Sequence, residues 1–120
     1  MSLQQTCPCG SGATYDACCG RLHRGSATAV SAVELMRARY AAYAVDELDY
    51  VFRTWHPRTR PDAIEPDPAL TWTGLEIVDS GEDWVEFVAS YTRDGVAGER
   101  RERSTFELRR GEWVYVGEDA

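Results

Sequence analysis

All four cysteines of this chain fall between positions 7 and 19, in the run C-P-C-G-S-G-A-T-Y-D-A-C-C. The surrounding residues 7–25 are rich in Gly and poor in apolar periodicity, so the segment cannot build a core of its own. Something must order it. Cys7 with Cys9, and Cys18 with Cys19, are too close in sequence for unstrained local disulfides. A redox C-x-x-C is absent, and the spacing departs from the common iron–sulfur patterns. Zinc in a structural role takes four thiolate or imidazole ligands in a closed tetrahedron. Gly10 and Gly12 let the chain fold back after the first pair. The expected ligands are therefore Cys7, Cys9, Cys18 and Cys19, with zinc as the cofactor whose binding orders the segment. His23 is the alternative nitrogen ligand, against the plainer reading of a solvated surface histidine. Gly10-Ser11-Gly12 lacks the strand and helix that a phosphate cradle requires.

The 120 residues suffice for one domain plus a small appendage. Net charge is -7, and all 13 basic residues are arginine. Residues 61–120 hold fifteen acids against six arginines. Such a surface argues against broad nucleic-acid or anionic-membrane binding. No run of eighteen apolar residues is present, and the first residues do not read as a secretory leader, so a cytoplasmic location is expected.

Beyond the cysteines, Ser31 to Val45 reads as a helix, with Ser31 and Glu34 as a capping box. Met36, Tyr40 and Tyr43 share one face, flanked by Val33 and Leu35. A second helix is expected from an N-cap at Asp46 to Trp55, ended by Pro57. Residues 57–69 contain four prolines and suit an extended loop. Four strands follow, over 70–79, 83–92, 99–109 and 112–116. Turns are expected at Ser80-Gly81-Glu82, Asp94-Gly95 and Gly111. Two helices followed by an antiparallel meander make an α+β fold with the helices on one face of the sheet. The expected core is Met36, Tyr40, Leu48, Phe52, Phe87, Phe106 and Trp113.

Helices laid over a curved sheet leave a concavity. Its expected border is Tyr40, Trp55, His56, Arg60 and Glu102. His56 is a candidate general base or hydrogen-bond donor. Arg60 is a candidate anion ligand. Glu102 shares its strand face with Phe106 and Leu108, so it must be paired or protonated. It reads either as a cavity base or as the partner of Arg37 or Arg39. With two of the polar candidates able to be cationic, a small anionic ligand is expected. No set of nucleophile, base and orienting group is visible.

Cys7, Cys9, Gly10, Ser11, Gly12, Tyr15, Cys18 and Cys19 closely resemble the SEC-C motif. That motif is the zinc-binding knuckle at the C-terminus of the SecA translocation ATPase, where it is associated with contacts to the chaperone SecB and to the ribosome. Cys18-Cys19-Gly20, His23-Arg24-Gly25, Glu34-Leu35-Met36-Arg37, Thr54-Trp55-His56-Pro57, Gly74-Leu75-Glu76-Ile77 and Glu102-Arg103-Ser104 resemble the YchJ-like family of small bacterial proteins. The resemblance implies a nuclear transport factor 2-like cone of sheet and helices around a cavity. It divides the chain into a knuckle over 1–25 and a cone domain over 26–120. It implies a zinc-containing binding or adaptor protein, with the knuckle meeting a protein partner or the ribosome and the cone holding a small ligand or peptide. The competing reading is a small enzyme using His56 and Glu102 for acid–base chemistry in the cone.

Overall fold

A computed structural model describes residues 5–119; the first four residues of the expected knuckle and the last residue of the expected cone lie outside them. The chain forms three helices and then four strands: α1 Cys19–His23, α2 Ala32–Ala44, α3 Leu48–Arg53, β1 Leu70–Ser80, β2 Trp84–Arg93, β3 Val96–Arg109 and β4 Glu112–Glu118. The short helix α1 inside the cysteine segment adds to the two helices expected.

Helix α2 starts where Ser31 accepts the Glu34 N–H at 3.1 Å. The Glu34 carboxylate closes the cap on the Val30 N–H at 2.9 Å, one residue earlier than a capping box requires. The end of α2 corrects the expected start of α3. Asp46 has a left-handed φ of 61°, and the Glu47 N–H returns to the Ala42 carbonyl at 2.8 Å. This is a Schellman ending, so Asp46 terminates α2 and cannot cap α3. Helix α3 also stops before Trp55, which leaves the helix to bridge Tyr115 of β4.

The sheet is a meander in the order β1-β2-β3-β4, antiparallel throughout. Asp94-Gly95 and Arg110-Gly111 are the two-residue turns on either side of β3, and both residues of each have positive φ. That geometry matches the natural strand twist. Irregularities in β1, between Trp72 and Gly74 and between Ile77 and Asp79, break its pairing with β2. Val78 falls at the second of these and is exposed rather than inward. The concave face carries Val85, Phe87 and Ala89 from β2, opposite Ser104, Glu102 and Arg100 of β3.

Helix α2 lies against this face and is buried on almost every side, including Leu35, Ala38, Arg39, Tyr40 and Ala41. Of the expected core, Met36, Tyr40, Phe87 and Phe106 are buried, and Leu48 and Trp113 pack against the cluster. Phe52 is half-buried beneath the Arg60 guanidinium, 4.1 Å from its ring centre. Leu108 does not follow Phe106 inward; it lies beyond the end of the β2 pairing and is 58% exposed. The buried cluster is continuous across the expected domain boundary: Cys7, Cys9, Tyr15, Cys19 and Leu22 belong to the same core as Leu35 and Val51.

Candidate metal centre and cone cavity

The four cysteine sulfurs all lie within 4.8 Å of one another. Cys9 Sγ is 3.6 Å from Cys18 Sγ, and Cys18 Sγ is 3.9 Å from Cys19 Sγ. These are not disulfide distances, and all four cysteines are free. They match the edges of a metal–thiolate tetrahedron, which are about 3.8 Å for metal–sulfur bonds of about 2.3 Å. The donor set therefore fits a single metal ion. The local fold explains the convergence. Gly10 and Gly12 adopt φ of 83° and 87°, a region closed to most side chains, and turn the chain back after Cys9. The Cys7 N–H then bonds the Ala13 carbonyl at 2.9 Å. The Cys18 and Gly20 N–H groups both bond the Tyr15 carbonyl, and α1 begins at Cys19.

The thiols sense one another. Hydrogen bonds from Cys19 and Cys7 hold the Cys9 thiol far below its ordinary range. Hydrogen bonds to Cys7 and Cys9, with burial, push Cys19 far above it. Four neighbouring sulfurs cannot all ionise without a cation between them; a bound metal supplies that charge and cross-links the segment.

Arg37 and His23 are among the groups that fix the knuckle to the cone. Arg37 of α2 donates from Nη1 to the Cys9 carbonyl at 2.6 Å. His23 is neither a ligand nor a surface residue. It is buried, its Nδ1 meets the Tyr15 hydroxyl at 2.5 Å, and its Nε2 meets the Ala38 carbonyl at 2.8 Å. A carbonyl only accepts, so Nε2 carries the proton and Nδ1 accepts from Tyr15. Both ring nitrogens are thus engaged within the protein.

Between α2 and the sheet lies a cavity of about 330 Å³. Tyr40, Trp55 and Glu102 line it, whereas His56 and Arg60 do not. His56 is held outside by its own backbone, whose N–H bonds the Tyr115 carbonyl at 2.8 Å along β4. Its ring faces Glu107, with Nε2 3.3 Å from the carboxylate, and its Nδ1 accepts the Arg58 N–H at 3.0 Å. Arg60 stacks on Phe52 instead. The expected acid–base pair is therefore not assembled in one place.

Glu102 is 9% exposed, and its partner is neither Arg37 nor Arg39. Arg100, two residues earlier on the same strand face, reaches one carboxylate oxygen at 3.0 Å. Ser104 and Tyr115 donate to the other at 2.5 and 3.3 Å. Glu86 lies on the opposite face and pairs with Arg101 at 2.5 Å.

The sequence reading missed Arg39 as a cavity residue. It is only 4% exposed. Its guanidinium carbon lies 5.0 Å from the centre of Trp55 and 4.5 Å from that of Tyr115, packed on an edge-to-face pair whose ring centres are themselves 4.9 Å apart. Nη1 donates to the Val51 carbonyl at 2.8 Å and to Thr54 Oγ1 at 2.9 Å. Burial brings its pKa down to about 10, which leaves it cationic at neutral pH.

The knuckle and the cone each match a known family. Residues 5–21 match the SEC-C motif, and residues 31–118 match the YchJ middle domain, which is nuclear transport factor 2-like. The chain belongs to the YchJ-like family. A UPF0225 protein of Streptomyces coelicolor is 47% identical, the match covering 92% of this chain and 91% of that one. A UPF0225 protein of Deinococcus radiodurans is 48% identical, covering 92% and 85%. Among solved structures, a SEC-C motif containing protein of Rhodopseudomonas palustris superposes with a TM-score of 0.83 at 36% identity, covering 95% and 97%. A second, from Psychrobacter arcticus, gives 0.80 at 25% identity, covering 97% and 83%. Among the described residues of this YchJ-like chain, no helix is long and apolar enough to cross a membrane.

Proposed function

We propose that this YchJ-like chain is a zinc-containing binding or adaptor protein of the cytoplasm. Its knuckle meets a protein partner of the translocation or translation machinery, and its cone takes a small ligand. The observation that carries the reading is the convergence of four cysteine sulfurs within 4.8 Å. Four soft donors and no other metal-ligating residue in the cluster favour zinc over hard, oxygen-seeking ions. Zinc held by Cys7, Cys9, Cys18 and Cys19 would act as a structural cross-link, not as a catalyst, because four protein ligands leave no open position.

The resemblance to the SecA knuckle supports a role in protein contact. Around the metal cluster, Gly10, Ser11, Gly12 and Ala13 are exposed, so the loop itself is available to a partner. The test is co-sedimentation with purified ribosomes and co-elution with purified SecB, comparing zinc-loaded and chelator-stripped protein. Retention by one of them only in the zinc-loaded state is expected. Failure to bind either, or binding indifferent to the metal, would contradict the adaptor role.

A further inference from the structure

The cone cavity combines a buried cation with aromatic walls. Tyr40 and Tyr43 come from α2, and Trp72, Phe87 and Tyr115 come from the sheet. Its volume of about 330 Å³ lies at the low end of the range for small-molecule sites, about 300–1,000 Å³. A flat ring suits an aromatic lining better than a bulky aliphatic group does, because aromatic pairs gain from stacked and edge-on contact.

The polar side of the cavity has one group already satisfied and one that is not. Glu102 has Arg100, Ser104 and Tyr115, so its charge is compensated. Arg39 has no carboxylate in ion-pair contact among the described residues, and both of its hydrogen bonds run through Nη1. Nε and Nη2 have no acceptor among those residues. These two carry the parallel N–H bonds that grip a carboxylate bidentately. Its two Nη1 bonds and its contact with the Trp55–Tyr115 pair restrain that fork. A second donor is also unmatched: Trp55 Nε1 is buried without a partner, in a residue that lines the same cavity. Glu102 acts on Arg39 only across the cavity. A buried cation with no carboxylate in contact is costly, and an anion on its free edge lowers that cost.

We propose that the cone cavity binds a small aromatic carboxylate, its carboxylate on the Nε–Nη2 edge of Arg39 and its ring against the aromatic side chains that line the cavity. This rests on the reading of the cone as a ligand site. It assigns the anion-binding role to Arg39, in place of His56 and Arg60.

The test uses the full, zinc-loaded, ¹⁵N-labelled chain titrated with benzoate, benzamide and acetate. The shifts of the Trp55 and Trp72 indole N–H and of Arg39 Nε–H report binding. Benzoate is expected to bind at least about tenfold more tightly than benzamide, the difference a charge-assisted hydrogen-bond pair makes, and more tightly than acetate. Arg39→Met should reduce benzoate to the level of benzamide, while His56→Ala and Arg60→Ala leave it unchanged. Methionine keeps much of the volume, and an apolar replacement of a buried ion is often tolerated. Should that variant not fold, the benzoate-to-benzamide ratio and the Arg39 Nε–H shift in the native chain decide. Equal binding of benzoate and benzamide, with the indole signals moving for both, would overturn the carboxylate assignment and leave a ligand site standing. No indole shift with any of the three would overturn the ligand site itself.

Discussion

Arg37 Nη1 donates to the carbonyl of Cys9 at 2.6 Å, joining residues 28 apart in sequence. The bond ties the cysteine loop directly to the central helix. With His23 on the Ala38 carbonyl and Arg21 on the Glu34 carboxylate at 2.7 Å, it makes α2 the platform on which the knuckle is built, and Arg53 of α3 adds a bond from Nη2 to the His23 carbonyl at 2.7 Å. Replacing Arg37 by Ala should cost about 1–3 kcal/mol, the cost of a lost charge-assisted bond to a half-buried carbonyl. Urea denaturation of the zinc-loaded variant reads this as a lower midpoint with an unchanged slope. No change in midpoint would show that the bond does not contribute to stability.

The knuckle and cone share one core, and this sets the outcome of truncation. A chain lacking residues 1–22 should keep a cooperative thermal transition, since Val85, Phe87 and Phe106 remain enclosed by α2 and the sheet. Its midpoint should fall, because Cys7, Cys9, Tyr15, Cys19 and Leu22 no longer contribute to the cluster that holds Leu35 and Ala38. Calorimetry distinguishes three outcomes. An unchanged midpoint would mean that the shared core adds nothing. Loss of the transition would mean that knuckle and cone fold only as one unit.

Burial lowers the pKa of His23 from the usual histidine range. Its folded value lies below its unfolded one, so the unfolded chain binds more protons in mild acid. The stability His23 contributes is therefore present above about pH 6.5 and lost as pH falls below it. Long-range ¹H–¹⁵N spectra should show a neutral His23 with the proton on Nε2 at pH 7, remaining neutral below pH 6.5. Titration at or above that pH, or a proton on Nδ1, would contradict the Tyr15–His23–Ala38 chain.

Gly20 is a position of close approach. A Cβ there would sit 2.7 Å from the Tyr15 carbonyl oxygen, a backbone atom that already accepts two N–H groups. Gly20→Ala should destabilise the protein by about 1–3 kcal/mol, typical of overpacking in a buried site. It should also weaken metal retention against a competing chelator, because α1 carries Cys19. Retention equal to the native protein would show that α1 can shift without moving its ligand.

Much of this was legible in the sequence, for reasons that differ by element. The cysteines were readable because few chemistries use four thiols at that spacing. The strands were readable because two-residue turns ending in Gly fix where a meander reverses. Asp46 misled because the same residue type caps a helix start and occupies a left-handed helix end. Arg39 was missed although the signal was present. Met36, Arg39, Tyr40 and Tyr43 follow the i, i+3, i+4, i+7 spacing, which puts the arginine inside the apolar stripe. Arg100 was likewise marked by strand alternation, two residues from Glu102 on one face. His56 and Arg60 could not be placed from sequence. Their position depends on Trp55 and His56 running along β4, a contact between segments about sixty residues apart.

The central claim is that Cys7, Cys9, Cys18 and Cys19 hold one zinc ion. The direct measurement is elemental analysis of freshly reduced protein, joined to X-ray absorption at the zinc edge. The account predicts one zinc per chain with a shell of four sulfurs at about 2.3 Å. Absence of zinc, or a shell containing nitrogen or oxygen in place of a sulfur, would contradict it.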